Sequence, residues 1–413
     1  MIEGDGLATL AAIRLFVALV SVAAVTAVVV HRLRVPYSVA LVVVGLAAGA
    51  ILPAGAIQVT PEVVLLVLVP GLVFEAALRL ELAELRQTFG WLVLLAAPGV
   101  LVSAGIVAIV LNLATGLRFE LGMVVGAMVA ATDPVAIIST FRNLGAPRRL
   151  TTLVEGESLF NDGTALVLFV VTVSAVAGPV TIGETVTTVS ITVVGSIAIG
   201  VIVGWLASRL IKLIDDRSIE LTISLAAAYG TYLLADGLHE SGIIATVVAG
   251  VVIGTYGRAV GLSERALEAL DTVWEFIAFL LTAFAFLLVG LAISFSDLLG
   301  ALPSIIWGLV AIMVGRAVVV YGLLGGGARL VRNRRPATAV PLSWLHVMFW
   351  AGLRGAVAVA MALSLPADFP QRALLQEITF GVVLFTLFVQ GTTAERLVAR
   401  VRATEPVEAE PAS

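Results

Sequence analysis

Apolar residues in this chain run unbroken, segment after segment, between short clusters of charge, proline and glycine, with none of the alternation expected of a half-buried strand. The runs are roughly 17–28 residues long, close to what a helix needs to cross about 30 Å of hydrocarbon. They predict helices over 8–30, 37–54, 60–79, 89–115, 119–141, 155–177, 186–213, 218–235, 240–257, 268–293, 301–325, 338–365 and 373–395. The fold class that follows is an all-α polytopic membrane protein of about thirteen transmembrane helices.

Composition agrees. Of 413 residues 60% are hydrophobic and 13% charged, against roughly 45–50% and 25% in a soluble domain. With no cysteine, disulfides, thiolate metal sites and cysteine nucleophiles are excluded. The three histidines, His31, His239 and His346, fall toward span ends, so a transition-metal centre is not expected. Glu3 and Asp5, not a basic stretch, precede the first span, which therefore reads as a retained helix and not a cleaved signal. The tail 404–413, with two prolines and three glutamates, has too little apolar surface to fold and is expected to be disordered.

Charge fixes the expected orientation. Alternate connections carry Arg32 and Arg34, Arg79 and Arg86, Arg142 to Arg149, Arg209 to Arg217, Arg258 and Arg265, and Arg329 to Arg335, and the tail adds Arg396, Arg400 and Arg402. Nineteen of the 24 basic residues thus share one side. The opposite loops hold only Arg118 and Arg372, while Arg14, Arg316 and Arg354 fall within spans. Positive loops stay in the cytoplasm, which gives an outside N-terminus and an inside C-terminus. An even number of spans would strand the last basic cluster on the wrong side.

Two spans are interrupted near their middles. The fifth carries Ala131-Thr-Asp-Pro-Val-Ala136, where Pro134 cannot continue the hydrogen-bond ladder and Thr132 and Asp133 are good caps for a new half-helix. The twelfth carries Gly352-Leu-Arg-Gly355 around the lone Arg354. Irregular backbone at that depth must be buried in protein or line a cavity. The two are seven spans apart and so run in opposite directions, the sequence trace of an inverted repeat with discontinuous helices at a midplane site.

The candidate chemistry lies beside them. Ser158 and Asp162 are four apart on the sixth span and share a helix face, with Glu157 and Asn161 on a neighbouring stripe. A carboxylate inside lipid costs about 3 kcal/mol or more and is by default a functional residue. If Ser158, Asp162 and freed backbone oxygen near Thr132 converge, they form an all-oxygen site for a hard cation. Glu75 interrupts the third span and has two readings: an additional site acid, or an interfacial carboxylate paired with Arg79 one turn on. Arg354 needs a buried partner, and Glu157 is the one expected. Asp133, beside a half-helix N-terminus, reads as dipole neutralisation. Glu275, Arg316 and Arg14 read as residues near span ends that snorkel or pair locally.

These stretches, with Gly156-Glu-Ser-Leu-Phe-Asn-Asp-Gly163 and Leu287-Leu-Val-Gly-Leu291 in the same order, make the chain resemble bacterial sodium/proton antiporters of the cation:proton antiporter superfamily, on the branch that includes animal sodium/proton exchangers. The resemblance implies a homodimer, each protomer with a core bundle over about 89–177 and 301–395 and a dimerisation or scaffold domain over about 8–79 and 186–293, all within a single transporter domain spanning 1–403. It implies two crossed unwound helices and an elevator-like movement. By motif matching, Asp162 is the proton and cation carrier, with Ser158, the Thr132 backbone and Glu75 completing the cation site. Asn161 supports it, and Glu157 and Arg354 form the buried pair. At Thr282, followed by Ala283, many relatives have asparagine and then serine.

The function expected is secondary active antiport of a monovalent cation, sodium first and lithium or potassium next, against a proton. Asn161 stands where a second acid could have doubled the proton count, so one-for-one, electroneutral exchange is expected. A potassium/proton antiporter and a cation channel are the alternatives; an intramembrane enzyme ranks far behind. No cofactor and no nucleic-acid partner are expected, and the location is a prokaryotic plasma membrane.

Overall fold

The computed structural model describes residues 2–33, 36–51, 60–80, 82–178, 181–214, 216–260, 264–332 and 340–404. Every regular element among them is helical. In chain order these are α1 (Ile2–Leu33), α2 (Tyr37–Ile51), α3 (Val63–Leu78), α4 (Ala83–Thr115), α5 (Phe119–Ala130), α6 (Val135–Leu144), α7 (Arg148–Ala177) and α8 (Ile182–Lys212). They continue with α9 (Arg217–Gly237), α10 (Gly242–Val260), α11 (Glu264–Ala292), α12 (Phe295–Gly300), α13 (Leu302–Arg329), α14 (Leu342–Trp350), α15 (Ala356–Leu363) and α16 (Arg372–Ala399). Eight of the described helices are long and apolar enough to cross a membrane. The last helix runs on to Thr404; the rest of the tail expected to be disordered lies outside the described residues.

Both interruptions are present. Helix stops at Ala130 and resumes at Val135, and it stops again at Trp350 and resumes at Ala356. Two boundaries shift from the sequence expectation, and both shifts matter. α7 begins at Arg148, a full two turns before 155, because Pro147 ends the preceding turn and nothing in 148–154 breaks a helix. Asp162 thereby moves to the middle of the helix. α13 continues through Gly325, Gly326 and Gly327, which read as a stop but remain helical to Arg332, so Arg316 sits mid-span.

Small residues let the helices approach. Gly122 and Gly126 of α5 face Ala108 and Ala104 of α4, where a Cβ on Gly126 would come within 2.6 Å of the Ala104 carbonyl oxygen. Gly45 of α2 meets Gly290 of α11 backbone to backbone. Packing of this kind replaces the hydrophobic effect between helices in lipid. α4, α5, α7, α13 and α16 pack on one another, and α15 packs on α5 and α16. A second set joins α2 to α11 and α1, and α10 to α3, α8 and α9. Much of the outer surface is apolar; Val194, Val201 and Trp205 of α8, for example, are exposed, as expected for a face turned to lipid.

A cavity at the crossing of two broken helices

The two breaks meet. The Asp133 N–H donates to the Leu353 carbonyl at 2.8 Å, so backbone freed by one interruption is satisfied by the other. Asp133 also accepts from the Val135 N–H at 3.2 Å, capping the α6 half-helix. Gly355 allows the crossing, because a Cβ there would lie 2.7 Å from the Asp133 carboxyl carbon.

α7 passes beside this crossing and grips it. Asn161 donates from Nδ2 to the Thr132 hydroxyl at 2.8 Å and offers Oδ1 to the Thr132 N–H at 3.4 Å. The Ser158 hydroxyl donates to the Thr132 carbonyl oxygen. Three polar groups of Thr132 are therefore held by one face of one helix, one turn deep. Thr132, Ser158, Asn161 and Asp162 are all buried.

Asp162 is different from its neighbours. The residue is 9% exposed, and its Oδ1 is buried with no hydrogen-bond partner among the described residues. An unmatched carboxylate oxygen of this kind is costly unless a proton or a cation takes the place of the missing donor. Around it, Ser158 and the Thr132 carbonyl keep lone pairs unused by their mutual hydrogen bond. The donor set is oxygen throughout, which suits a hard cation.

These groups face a cavity of about 450 Å³. One wall is the α5–α6 break, α7 and α15; the other is α2, α3 and α11, contributing Tyr37, Glu75, Glu275 and Thr282. The lining includes the start of α2 and the end of α3, which adjoin Arg-rich connections. Glu75 is placed by both of its readings at once: it lines the cavity with Asp162, and it is ion-paired to Arg79.

One expected pairing is corrected. Glu157 is held by Arg316 and not by Arg354: the Arg316 Nη2 donates to Glu157 Oε2 at 2.9 Å, and Nη1 contacts the other carboxylate oxygen. Arg316 also donates to the Met348 carbonyl at 2.6 Å. Arg354, 1% exposed, instead satisfies its guanidinium on the backbone, with Nε donating to the Val129 carbonyl at 2.7 Å and Nη1 to that of Gly352. Its N–H is taken by Thr386 Oγ1 at 3.1 Å. The physical reason is that unwinding leaves carbonyls without donors, and the nearest arginine serves them. The bland reading of Arg316 fails because the span is longer than its glycines suggested. Its signal was available: a lone arginine about equally far from Pro303 and the basic cluster at 329–335.

The architecture and this site define a multi-pass helical membrane protein of the transporter class. The model for "Sodium/hydrogen exchanger, transmembrane" matches residues 17–400, and the chain belongs to that family. It is 38% identical to the low-affinity Na+/H+ antiporter NhaS1 of Synechocystis over 88% of this chain and 69% of that protein. It is 35% identical to the Na+/H+ antiporter NhaP of Pseudomonas aeruginosa over 84% of this chain and 83% of the relative. The solved sodium proton antiporter MjNhaP1 of Methanocaldococcus jannaschii shares the fold, with a TM-score of 0.75 at 20% identity, over 94% of this chain and 98% of that one.

Proposed function

We propose that this protein exchanges a monovalent cation, sodium in the first instance, for a proton, with Asp162 as the carrier that each occupies in turn. The observation that carries this reading is the Asp162 Oδ1, buried without a donor beside the Thr132 carbonyl and the Ser158 hydroxyl. Ionised, the carboxylate binds a partly dehydrated cation with those oxygens; protonated, it needs none. Exclusive occupancy couples the two fluxes. Asn161 keeps the Thr132 backbone in place, and Asp133 keeps the half-helix.

The names of the relatives, Na+/H+ antiporters, support sodium as the cation. Exchange is one for one because a single carboxylate changes occupant, Asn161 being engaged on both sides with Thr132. Counting each apolar element once gives thirteen crossings, with the breaks in the fifth and twelfth as an inverted pair. The composition of the two cavity walls supports alternating access in which the 89–177 and 301–395 bundle moves against the helices of 8–79 and 186–293, the latter also forming a homodimer. The basic loops support a cytoplasmic C-terminus in a prokaryote, and with it a cavity that opens inward.

The test is reconstitution into proteoliposomes with a pH-reporting dye. Wild-type protein is expected to move protons when sodium is added, and Asp162→Asn to move none. Sustained sodium-driven proton flux in the purified, folded variant would refute the assignment.

A further inference from the structure

On the approach to Asp162 the cavity carries an ion pair that the exchange reaction, as described, does not use. Glu75 and Arg79 are one turn apart on α3, and the Arg79 Nε donates to Glu75 Oε1. Arg79 is also 3.5 Å from Glu275 of α11 through Nη2. All three line the same cavity as Asp162, Ser158 and Thr132. The Glu75 side chain is only 14% exposed, against 66% for Glu275, so the guanidinium rests on the deeper carboxylate.

Position explains why. Arg79 closes the C-terminus of α3 with its N–H on the Ala76 and Ala77 carbonyls, which fixes its backbone while the helix end favours a positive charge. Its side chain folds back along the helix to the residue four before it, the geometry of an i,i+4 pair. The guanidinium is a monovalent cation tethered beside a carboxylate on the route that a free cation takes.

We propose that Arg79 is an internal competitor: the transported cation displaces its guanidinium from Glu75 on the way to Asp162, and Arg79 thereby sets the apparent cation affinity of the cavity-facing side. Arg79 acts through Glu75, as a positioning residue, and never receives the ion or the proton. The tether matters because a charge attached to the same helix is present at a constant, high local concentration, so it weakens entry without abolishing it. This inference rests on the exchange at Asp162 proposed above.

The experiment is the sodium dependence of proton flux in everted membrane vesicles, where sodium is added to the face bearing the basic loops. Arg79→Gln is expected to lower the apparent KM for sodium roughly two- to fivefold, the range open to a partly exposed ion pair, with a smaller effect on maximal rate. In a Glu75→Gln background the same substitution is expected to leave KM where Glu75→Gln alone puts it. Arg79→Lys, whose compact, strongly hydrated ammonium cannot reproduce the guanidinium fork, is expected to fall between wild type and Arg79→Gln, and it serves where Arg79→Gln does not fold. An unchanged or raised KM in these variants overturns the proposal, as does an equal fall with Glu75 already removed, which would make the effect one of general charge. If Asp162→Asn is silent while Arg79→Gln keeps the wild-type KM, only this inference fails. If Asp162→Asn still exchanges, the carrier assignment itself fails.

Discussion

Glu157, Arg316 and Arg354 show how charge arithmetic decides what a buried residue is worth. Two guanidinium groups sit near one carboxylate, flanking Gly352, whose added Cβ would be 2.8 Å from a nitrogen of each. Only Arg316 is hydrogen-bonded to Glu157. Removing Glu157's charge leaves two buried cations with no anion, and stranding a buried ion costs about 3–5 kcal/mol. Removing Arg316 leaves one of each sign. Glu157→Gln is therefore expected to lower thermal stability in detergent more than Arg316→Met does, although the latter deletes the direct partner. The reverse order in melting midpoints would show that the pairwise contact, and not the balance of charge, holds the cluster. The sequence revealed that a buried pair was needed but chose the wrong arginine, because pairing in three dimensions depends on where α13 crosses α7 and not on distance from a glycine-rich motif.

At the scale of elements, the crossing of the two breaks is a backbone problem solved by one missing side chain. The Asp133 N–H and the Leu353 carbonyl reach each other because Gly355 leaves room for the Asp133 side chain. Gly355→Ala is expected to destabilise the folded protein by about 1–3 kcal/mol, the usual cost of overpacking, and to cut the exchange rate by shifting Asp133 and the Thr132 oxygen beyond it. Gly90→Ala on α4, where an added Cβ meets nothing within 4 Å, is the control and is expected to raise stability slightly through helix propensity. Thermal unfolding of both variants checks the contrast; equal melting temperatures would mean that the crossing tolerates a methyl group. That the breaks exist was legible from Pro134 and from the paired glycines. That they touch was not, since residues 133 and 353 are 220 positions apart.

For the whole molecule the question is how much charge crosses with each cycle. If one proton returns for each cation, the transmembrane voltage does no work on the cycle; a second proton would make it worth about 2.3 kcal/mol per 100 mV. Proteoliposomes held at imposed potassium-diffusion potentials are accordingly expected to reach the same sodium and pH gradients at every voltage. A set point that moves with potential would rule out one-for-one exchange. The geometry behind this expectation is the cavity between two packed sets of helices, with one donor-less carboxylate oxygen at its depth.

The sequence by itself determined the membrane-crossing class, the two interruptions and the polar face of α7, because each depends on hydrocarbon thickness, helix periodicity or the missing donor of a proline, all local properties of the chain. Tertiary structure alone decided that Thr132 is clamped by Asn161 and Ser158, that Glu157 belongs to Arg316, and that Glu75 is shared between Arg79 and the cavity of Asp162. Those outcomes turn on which helices lie side by side, and in lipid that is settled by close approach of small residues and by the search of every buried polar group for a partner, neither of which the order of residues states.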